Sequence, residues 1–101
     1  MLLKKSFDEW DGHWDVSLFG DIDLVNVSEL KRELLALADG DIVLHCEHLK
    51  YIDSMGIGVL VSVLKERKDK GYHVRISGLA PHILRIFELT GLKELLSLIH
   101  I

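Results

Sequence analysis

The feature that most constrains the fold is an unbroken run of three apolar residues, Ile42-Val43-Leu44, between two segments of helical periodicity. The run is too short for a helix and is typical of a strand that is covered on both faces. Leu30 and Leu34 recur at helical spacing before it, and Ile57 and Leu60 do so after it. A buried strand between two helices favours an α/β fold in which the helices pack on a sheet.

The chain before Gly20 has the pattern of a β-hairpin. Trp14, Val16 and Leu18 alternate with mostly polar neighbours, as expected for a half-buried strand. The preceding pair Asp11-Gly12 is a turn signal, because glycine adopts the positive φ that tight hairpin turns require. We therefore expect two antiparallel strands in this part of the chain.

A first helix is predicted to follow the hairpin. Asn26 is a suitable N-cap residue, and Glu29 lies three residues later, where it completes a capping box. Val25 and Leu30 occupy the two positions of a hydrophobic staple, which predicts that they pack against each other.

The second half of the chain continues this alternation of helices and strands. Ser54 is predicted as the N-cap of a second helix that ends before Gly71, with Lys65–Lys70 as its solvated last turn. Tyr72–Ser77 is predicted as a further strand. Pro81 suits the first turn of a third helix, where its missing N–H has no cost. A short final helix is predicted from the spacing of Leu92, Leu95, Leu96 and Ile99.

The predicted order β-β-α-β-α-β-α-α gives an α/β fold with a mixed β-sheet flanked by helices. Strand Ile42–Cys46 should be central and parallel to Tyr72–Ser77, because a helix-length connection joins them. A chain of 101 residues that is 49% hydrophobic fits a single domain over residues 1–101.

Composition excludes several classes of function. The apolar runs are too short to span a bilayer, and no signal-peptide core follows Met1–Lys5, so we expect a cytoplasmic protein without direct membrane insertion. A formal net charge of −4 disfavours binding to nucleic acid and suits a protein partner. The single cysteine, Cys46, cannot form an intramolecular disulfide and fits a small buried side chain.

Three polar segments are predicted to lie at or just beyond the carboxyl ends of strands, where open parallel sheets form their sites. They are Gly20-Asp21-Ile22-Asp23, His45-Cys46-Glu47-His48 and Asp53-Ser54-Met55-Gly56.

Two glycines, Gly56 at the end of the last segment and Gly58 two residues later, are unfavourable in a helix. Gly56 and Gly58 within one helical turn destabilise a helix by roughly 2 kcal/mol relative to alanine. They have two interpretations: they let the helix pack closely on the sheet, or they leave the backbone open to an approaching partner. Ser54 correspondingly is either a simple cap or a serine displayed at a positive helix end, where a phosphate is accommodated.

Three motifs resemble the STAS domain family of bacterial anti-sigma factor antagonists. Residues 51–60, Tyr-Ile-Asp-Ser-Met-Gly-Ile-Gly-Val-Leu, resemble the signature in which an Asp-Ser-x-Gly turn opens the second helix. Residues 20–23 resemble the family's turn before its first helix, and residues 89–92, Leu-Thr-Gly-Leu, resemble the motif before its final element. The three matches keep the order and spacing of the family.

The resemblance implies a phosphorylation switch. It places the phosphorylated serine at Ser54 and implies a partner anti-sigma factor that is itself a serine kinase. This kinase binds the unphosphorylated domain and releases it after phosphorylation. Three positions depart from the family's pattern. Met55 stands where the family usually has Ser, Thr or Ala, His45 where it frequently has Asp at the end of the preceding strand, and His48 where it has a small residue in the next loop. The implied partner-binding residues are Asp21, Asp23, Asp53, Ser54, Met55, Gly56 and Gly58.

Catalytic and metal sites are not favoured by the sequence. The run His45–His48 contains four potential zinc ligands, but neighbouring strand side chains point to opposite faces, so His45 and Cys46 should diverge. A phosphate-accepting receiver domain would need an aspartate at the end of the central strand and a lysine at the end of a later one. In this chain those two positions are occupied by His45 and Ser77. Ser54 lacks the Gly-x-Ser-x-Gly elbow, and no nucleotide-binding glycine loop is present. We expect no enzyme activity, no cofactor and no metal.

Two functions therefore remain open. The first is the phosphorylation-controlled antagonist. The alternative is a stand-alone STAS subunit of a lipid-transport complex or a stress-signalling scaffold, in which Ser54 is not modified.

Overall fold

The structure is a computed structural model that describes residues 1–89 and 99–100. Its strands are β1 (Leu2–Asp8), β2 (His13–Ile22), β3 (Asp41–Ile52), β4 (Val74–Ser77) and β5 (Ile99–His100). Its helices are α1 (Val27–Leu35), α2 (Ser54–Asp69) and α3 (Pro81–Leu89). No helix among these residues has both the length and the apolar character needed to cross a membrane.

The strands form one mixed sheet in the order β1-β2-β3-β4-β5. The hairpin strands β1 and β2 are antiparallel, and each later pair of neighbours is parallel. The predicted α/β fold is confirmed, including the central position of β3 and its parallel pairing with β4. The helical connections between β2, β3 and β4 make this parallel arrangement possible.

One face of the sheet forms the hydrophobic core. Val16, Leu44 and Ile76 point to this face and are buried together with residues of α1 and α2, such as Leu34 and Leu60. The alternate side chains point to the other face, which is polar and only partly buried. The expectation that the central strand is covered on both faces is therefore wrong.

The lengths of the strands also differ from the prediction. β3 continues to Ile52, because two irregularities in its pairing with β2 let the strand run on past His45. The segment His45–His48 was predicted to lie at or just beyond the carboxyl end of this strand, but it lies inside β3. The predicted final helix falls on residues outside those described, except for Ile99, which is in β5.

The start of α1 corrects the predicted capping pattern. Asn26 is the N-cap residue, but its side chain makes no capping hydrogen bond. It instead donates to the Asp21 carbonyl at 2.8 Å and accepts from the Asp23 N–H at 3.0 Å. Val25 is 91% exposed, so the predicted staple with Leu30 does not form. Asn26 therefore shapes the loop between β2 and α1, which belongs to the candidate site.

A buried arginine joins the end of α1 to α2. Arg67 was predicted to lie in a solvated last turn of α2, yet its side chain is 1% exposed. Its guanidinium donates to the carbonyls of Leu37 and Ala38 at 2.8 Å each and to that of Gly40 at 3.0 Å. A planar group with several fixed donors can bind three carbonyls at once, whereas an ammonium group presents one point charge.

Replacement of Arg67 should therefore destabilise the fold. In Arg67→Met the three carbonyls lose their shared donor, and we expect the free energy of unfolding to fall by about 2–4 kcal/mol. Urea denaturation followed by circular dichroism measures this change. The control is Lys68→Met at the next, exposed position, which should stay within about 0.5 kcal/mol of the parent. Equal losses in the two variants would contradict the role assigned to Arg67.

Candidate functional site

The candidate site lies where β2 and β3 end side by side. Ile22 and Ile52 are paired in the parallel register, and the Asp53 N–H donates to the Ile22 carbonyl at 3.2 Å. The β2–α1 loop and the first turn of α2 therefore begin at the same edge of the sheet. This edge holds two of the three polar segments that the sequence singled out, residues 20–23 and 53–56.

The N-cap residue of α2 is Asp53, whereas the sequence predicted Ser54. The Asp53 side chain accepts a hydrogen bond from the Gly56 N–H at 3.0 Å, and its backbone is extended. Ser54 is consequently the first residue of the helix, and it is exposed. A carboxylate in this position satisfies a free N–H and also interacts favourably with the positive helix end. The Ser54 hydroxyl is thus not required for capping.

The other two acidic residues have different surroundings. The Asp23 carboxylate accepts from the Val25 N–H at 3.0 Å, and its backbone carbonyl accepts from the Val27 N–H at 2.9 Å. Asp23 therefore fixes the turn that leads into α1. Asp21 is exposed and is paired with Tyr51 across the ends of the two strands.

Exposed apolar side chains surround this edge of the sheet. Leu24, Val25, Tyr51 and Met55 are between 47% and 91% exposed. We refer to these four residues and Ser54 as the Ser54 face. Large apolar side chains grouped on a surface mark sites of protein interaction.

No partner-binding role is predicted from the sequence for Leu24, Val25 or Tyr51. For Leu24 and Val25, the sequence did contain a feature that could have indicated exposure to a partner. They form an apolar pair inside a loop whose flanking residues, Asp23 and Asn26, already hold the backbone. Apolar residues in such a loop are free to face a partner.

The two glycines of α2 have opposite surroundings. A Cβ atom at Gly56 would lie 2.7 Å from Ile52 Cγ1 and 2.8 Å from Ile22 Cγ2, so the helix touches the sheet there. A Cβ atom at Gly58 would meet nothing within 4 Å, and Gly58 is exposed. The packing interpretation therefore applies to Gly56, whereas at Gly58 the backbone stays open to solvent.

The segment His45–His48 does not form a common site. Cys46 is buried in the core, and burial followed by the nearby Glu47 charge raises the pKa of its thiol to about 12. His45 lies on the opposite face, where its Nε2 is 2.8 Å from Asp15 Oδ1. His48 stacks on Phe19 with ring centroids 5.1 Å apart. The predicted divergence of His45 and Cys46 is thus confirmed.

Comparison with known proteins assigns the family. A family model described as the STAS domain matches residues 5–101. The chain belongs to the STAS domain family. The resemblance in the three sequence motifs is thereby confirmed, and the mixed sheet with its helices is the fold of this family.

Two curated relatives share most of their length with the chain. An anti-sigma-B factor antagonist of Staphylococcus aureus is 36% identical over 89 residues, which cover 85% of this chain and 82% of the relative. An anti-sigma-B factor antagonist of Bacillus subtilis is 31% identical over 85 residues, covering 82% and 78%. Among solved structures, the Bacillus cell fate determinant SpoIIAA in the phosphorylated form has a TM-score of 0.77 at 17% identity. That match covers 98% of this chain and 89% of the other, and it shows a common fold.

The two glycines provide a matched pair of substitutions. In Gly56→Ala the new methyl group collides with Ile22 and Ile52, and we expect a loss of about 1–3 kcal/mol in the free energy of unfolding. In Gly58→Ala the methyl group enters open space, and the better helix propensity should add roughly 0.5–1 kcal/mol. Chemical denaturation of both variants beside the parent measures the difference. Changes of the same sign would show that the contacts of α2 are not as described.

Proposed function

We propose that this chain is a cytoplasmic anti-sigma factor antagonist that binds a serine-kinase anti-sigma factor through the Ser54 face. The kinase transfers the γ-phosphoryl group of ATP to Ser54 Oγ, the hydroxyl loses its proton, ADP leaves, and the complex dissociates. The observation that carries the proposal is the exposure of Ser54 at the start of α2 among exposed apolar side chains. The names of the curated relatives support the binding role.

Each residue that the sequence predicted for partner binding has a place in this proposal. Ser54 and Met55 face the partner directly, and Asp21 lies at the exposed rim. Asp23 and Asp53 act indirectly, since their carboxylates hold the loop before α1 and the first turn of α2.

The two glycines contribute in different ways. Gly56 is buried and sets the distance between the helix and the sheet, so that the start of α2 is held in a fixed position. Gly58 lies one turn after Ser54 on the same side of the helix, where its bare backbone lets a partner approach closely.

Phosphorylation of Ser54 should abolish binding without unfolding the domain. A phosphoserine adds about −1.5 to −2 charges at the helix start, where the positive end of α2 offsets part of the repulsion from Asp53. The complex tolerates the phosphate less well than the free domain does, because a partner in contact with the apolar Ser54 face would remove water from the phosphate. Burying such a charge without a matching group costs several kcal/mol.

Substitutions at Ser54 test the switch. Ser54→Ala should bind the cognate anti-sigma factor like the parent but should not be released when ATP is added, whereas Ser54→Asp should bind at least ten times more weakly. Because Asp53 provides the cap, the melting temperatures of both variants should stay near that of the parent. Isothermal titration calorimetry and thermal melts measure the two properties. Equal affinities of the two variants would contradict the switch and favour the unmodified STAS subunit.

Substitutions at the exposed apolar residues test the binding surface. Met55→Ser and Leu24→Ser each remove apolar area from the proposed interface and should weaken binding about tenfold or more, as central contacts do. The matched control is Trp10→Ser, because Trp10 is 98% exposed but lies in the hairpin turn at the other end of β2. Binding is again measured by calorimetry. A loss in the Trp10 variant with full binding in the other two would place the interface elsewhere.

A further inference from the structure

A second cluster of polar side chains lies at the opposite end of the sheet from Ser54. Asp8, His13 and Asp15 each offer a ligand atom, and these atoms lie within 4.8 Å of one another. We call these three residues the hairpin cluster. Asp15 precedes Ile22 by seven residues of β2, or ~23 Å along a strand, so the cluster is remote from the Ser54 face.

The hairpin register brings the three side chains together. Asp8 and His13 are direct partners at the closed end of the β1–β2 ladder. Asp15 is two residues beyond His13 on the same strand, so its side chain points to the same face of the sheet. These positions are fixed by strand pairing and do not depend on a flexible loop.

Each carboxylate of the cluster has one oxygen held by hydrogen bonds. Asp8 Oδ1 accepts from the backbone N–H groups of Trp10 and Asp11 at 2.9 and 3.2 Å, which orients the group and leaves its Oδ2 for another partner. Asp15 Oδ1 is 2.8 Å from His45 Nε2, and its Oδ2 faces His13 Nε2 at 3.2 Å. The two carboxylates are thus oriented before any ligand binds.

We propose that the hairpin cluster binds a divalent transition-metal ion through His13 Nε2 and one oxygen each of Asp8 and Asp15. Two donors bound to one tetrahedral zinc ion at about 2.0 Å are themselves about 3.3 Å apart. His13 Nε2 and Asp15 Oδ2 already have this separation, at 3.2 Å. The ligand atoms of all three residues lie within 4.8 Å of one another, so the side chains must draw together around the ion, and water completes its coordination.

The donor set indicates which class of ion binds. Magnesium and calcium prefer oxygen ligands alone, whereas one imidazole beside two carboxylates suits zinc and its transition-metal neighbours. Metal ligation requires a well-oriented carboxylate, and the hydrogen bond between His45 Nε2 and Asp15 Oδ1, at 2.8 Å, holds the Asp15 side chain in place. His45 is the positioning residue of the site, because it holds Asp15 without itself being a ligand.

A metal site in the hairpin differs from the sequence-based expectation that the chain binds no metal. That expectation rested on the run His45–His48, in which Cys46 is buried in the core. The hairpin cluster instead draws on residues from both hairpin strands, and only their register reveals it. Such an ion would tie β1 to β2 beside the exposed Trp10.

Zinc titration of the tag-free, EDTA-treated full chain tests the proposal. We expect one zinc ion per chain with micromolar or tighter affinity in calorimetry, a higher melting temperature with zinc, and little response to magnesium. His13→Ala and Asp8→Asn should each weaken zinc binding at least tenfold. His45→Gln should weaken it by about ten- to a hundredfold, as is usual for a group that orients a ligand.

The control is His73→Ala, because His73 is exposed and lies outside the hairpin cluster. This variant should bind zinc like the parent. Zinc binding that persists in the double variant of His13→Ala and Asp8→Asn, or no binding of zinc at 100-fold molar excess, would overturn the proposal. The Ser54 switch is tested separately by partner affinity, so either proposal can fail without the other.

Discussion

At Gly56 the first turn of α2 lies directly on Ile22 and Ile52, with no side chain to hold it away from the sheet. The paired ends of β2 and β3 supply both isoleucines, so this contact joins the helix to the strands that carry the site. Because protein interiors are closely packed, a helix held this tightly cannot shift without displacing its neighbours. The orientation of Ser54 and Met55 toward solvent follows from this contact.

The far end of α2 is held by a contact of a different kind. There the Arg67 guanidinium binds the carbonyls that follow α1, and it does so while fully buried. One end of the helix is therefore fixed by close packing and the other by charged hydrogen bonds. Between them, the exposed side of α2 is presented as a rigid surface, which limits the entropy lost when a partner binds.

The sequence was sufficient to predict the fold because hydrophobic period and turn residues agree along most of the chain. The apolar run Ile42–Leu44 predicted the central parallel strand, and the Asp-Ser-x-Gly motif predicted the start of α2. The length of β3 could not be predicted, because its continuation past His45 depends on irregular pairing with β2.

The site was predicted less completely than the fold. Asp53 and Ser54 are both good capping residues, and only the backbone geometry distinguishes which of them is the cap. The burial of Arg67 was missed because the end of a basic helix is usually solvated. Contacts between residues that are distant in the sequence, such as Arg67 with Leu37, leave no local pattern from which they can be predicted.

The separation of the cap from Ser54, the proposed phosphorylation site, has an evolutionary consequence. Because Asp53 completes the helix start, folding places no demand on the side chain at position 54. A duplicated copy of such a gene can therefore lose its serine in one step and keep an intact domain. Under the proposed mechanism, that copy would bind its partner permanently, so regulated and constitutive versions of one protein are a single codon change apart.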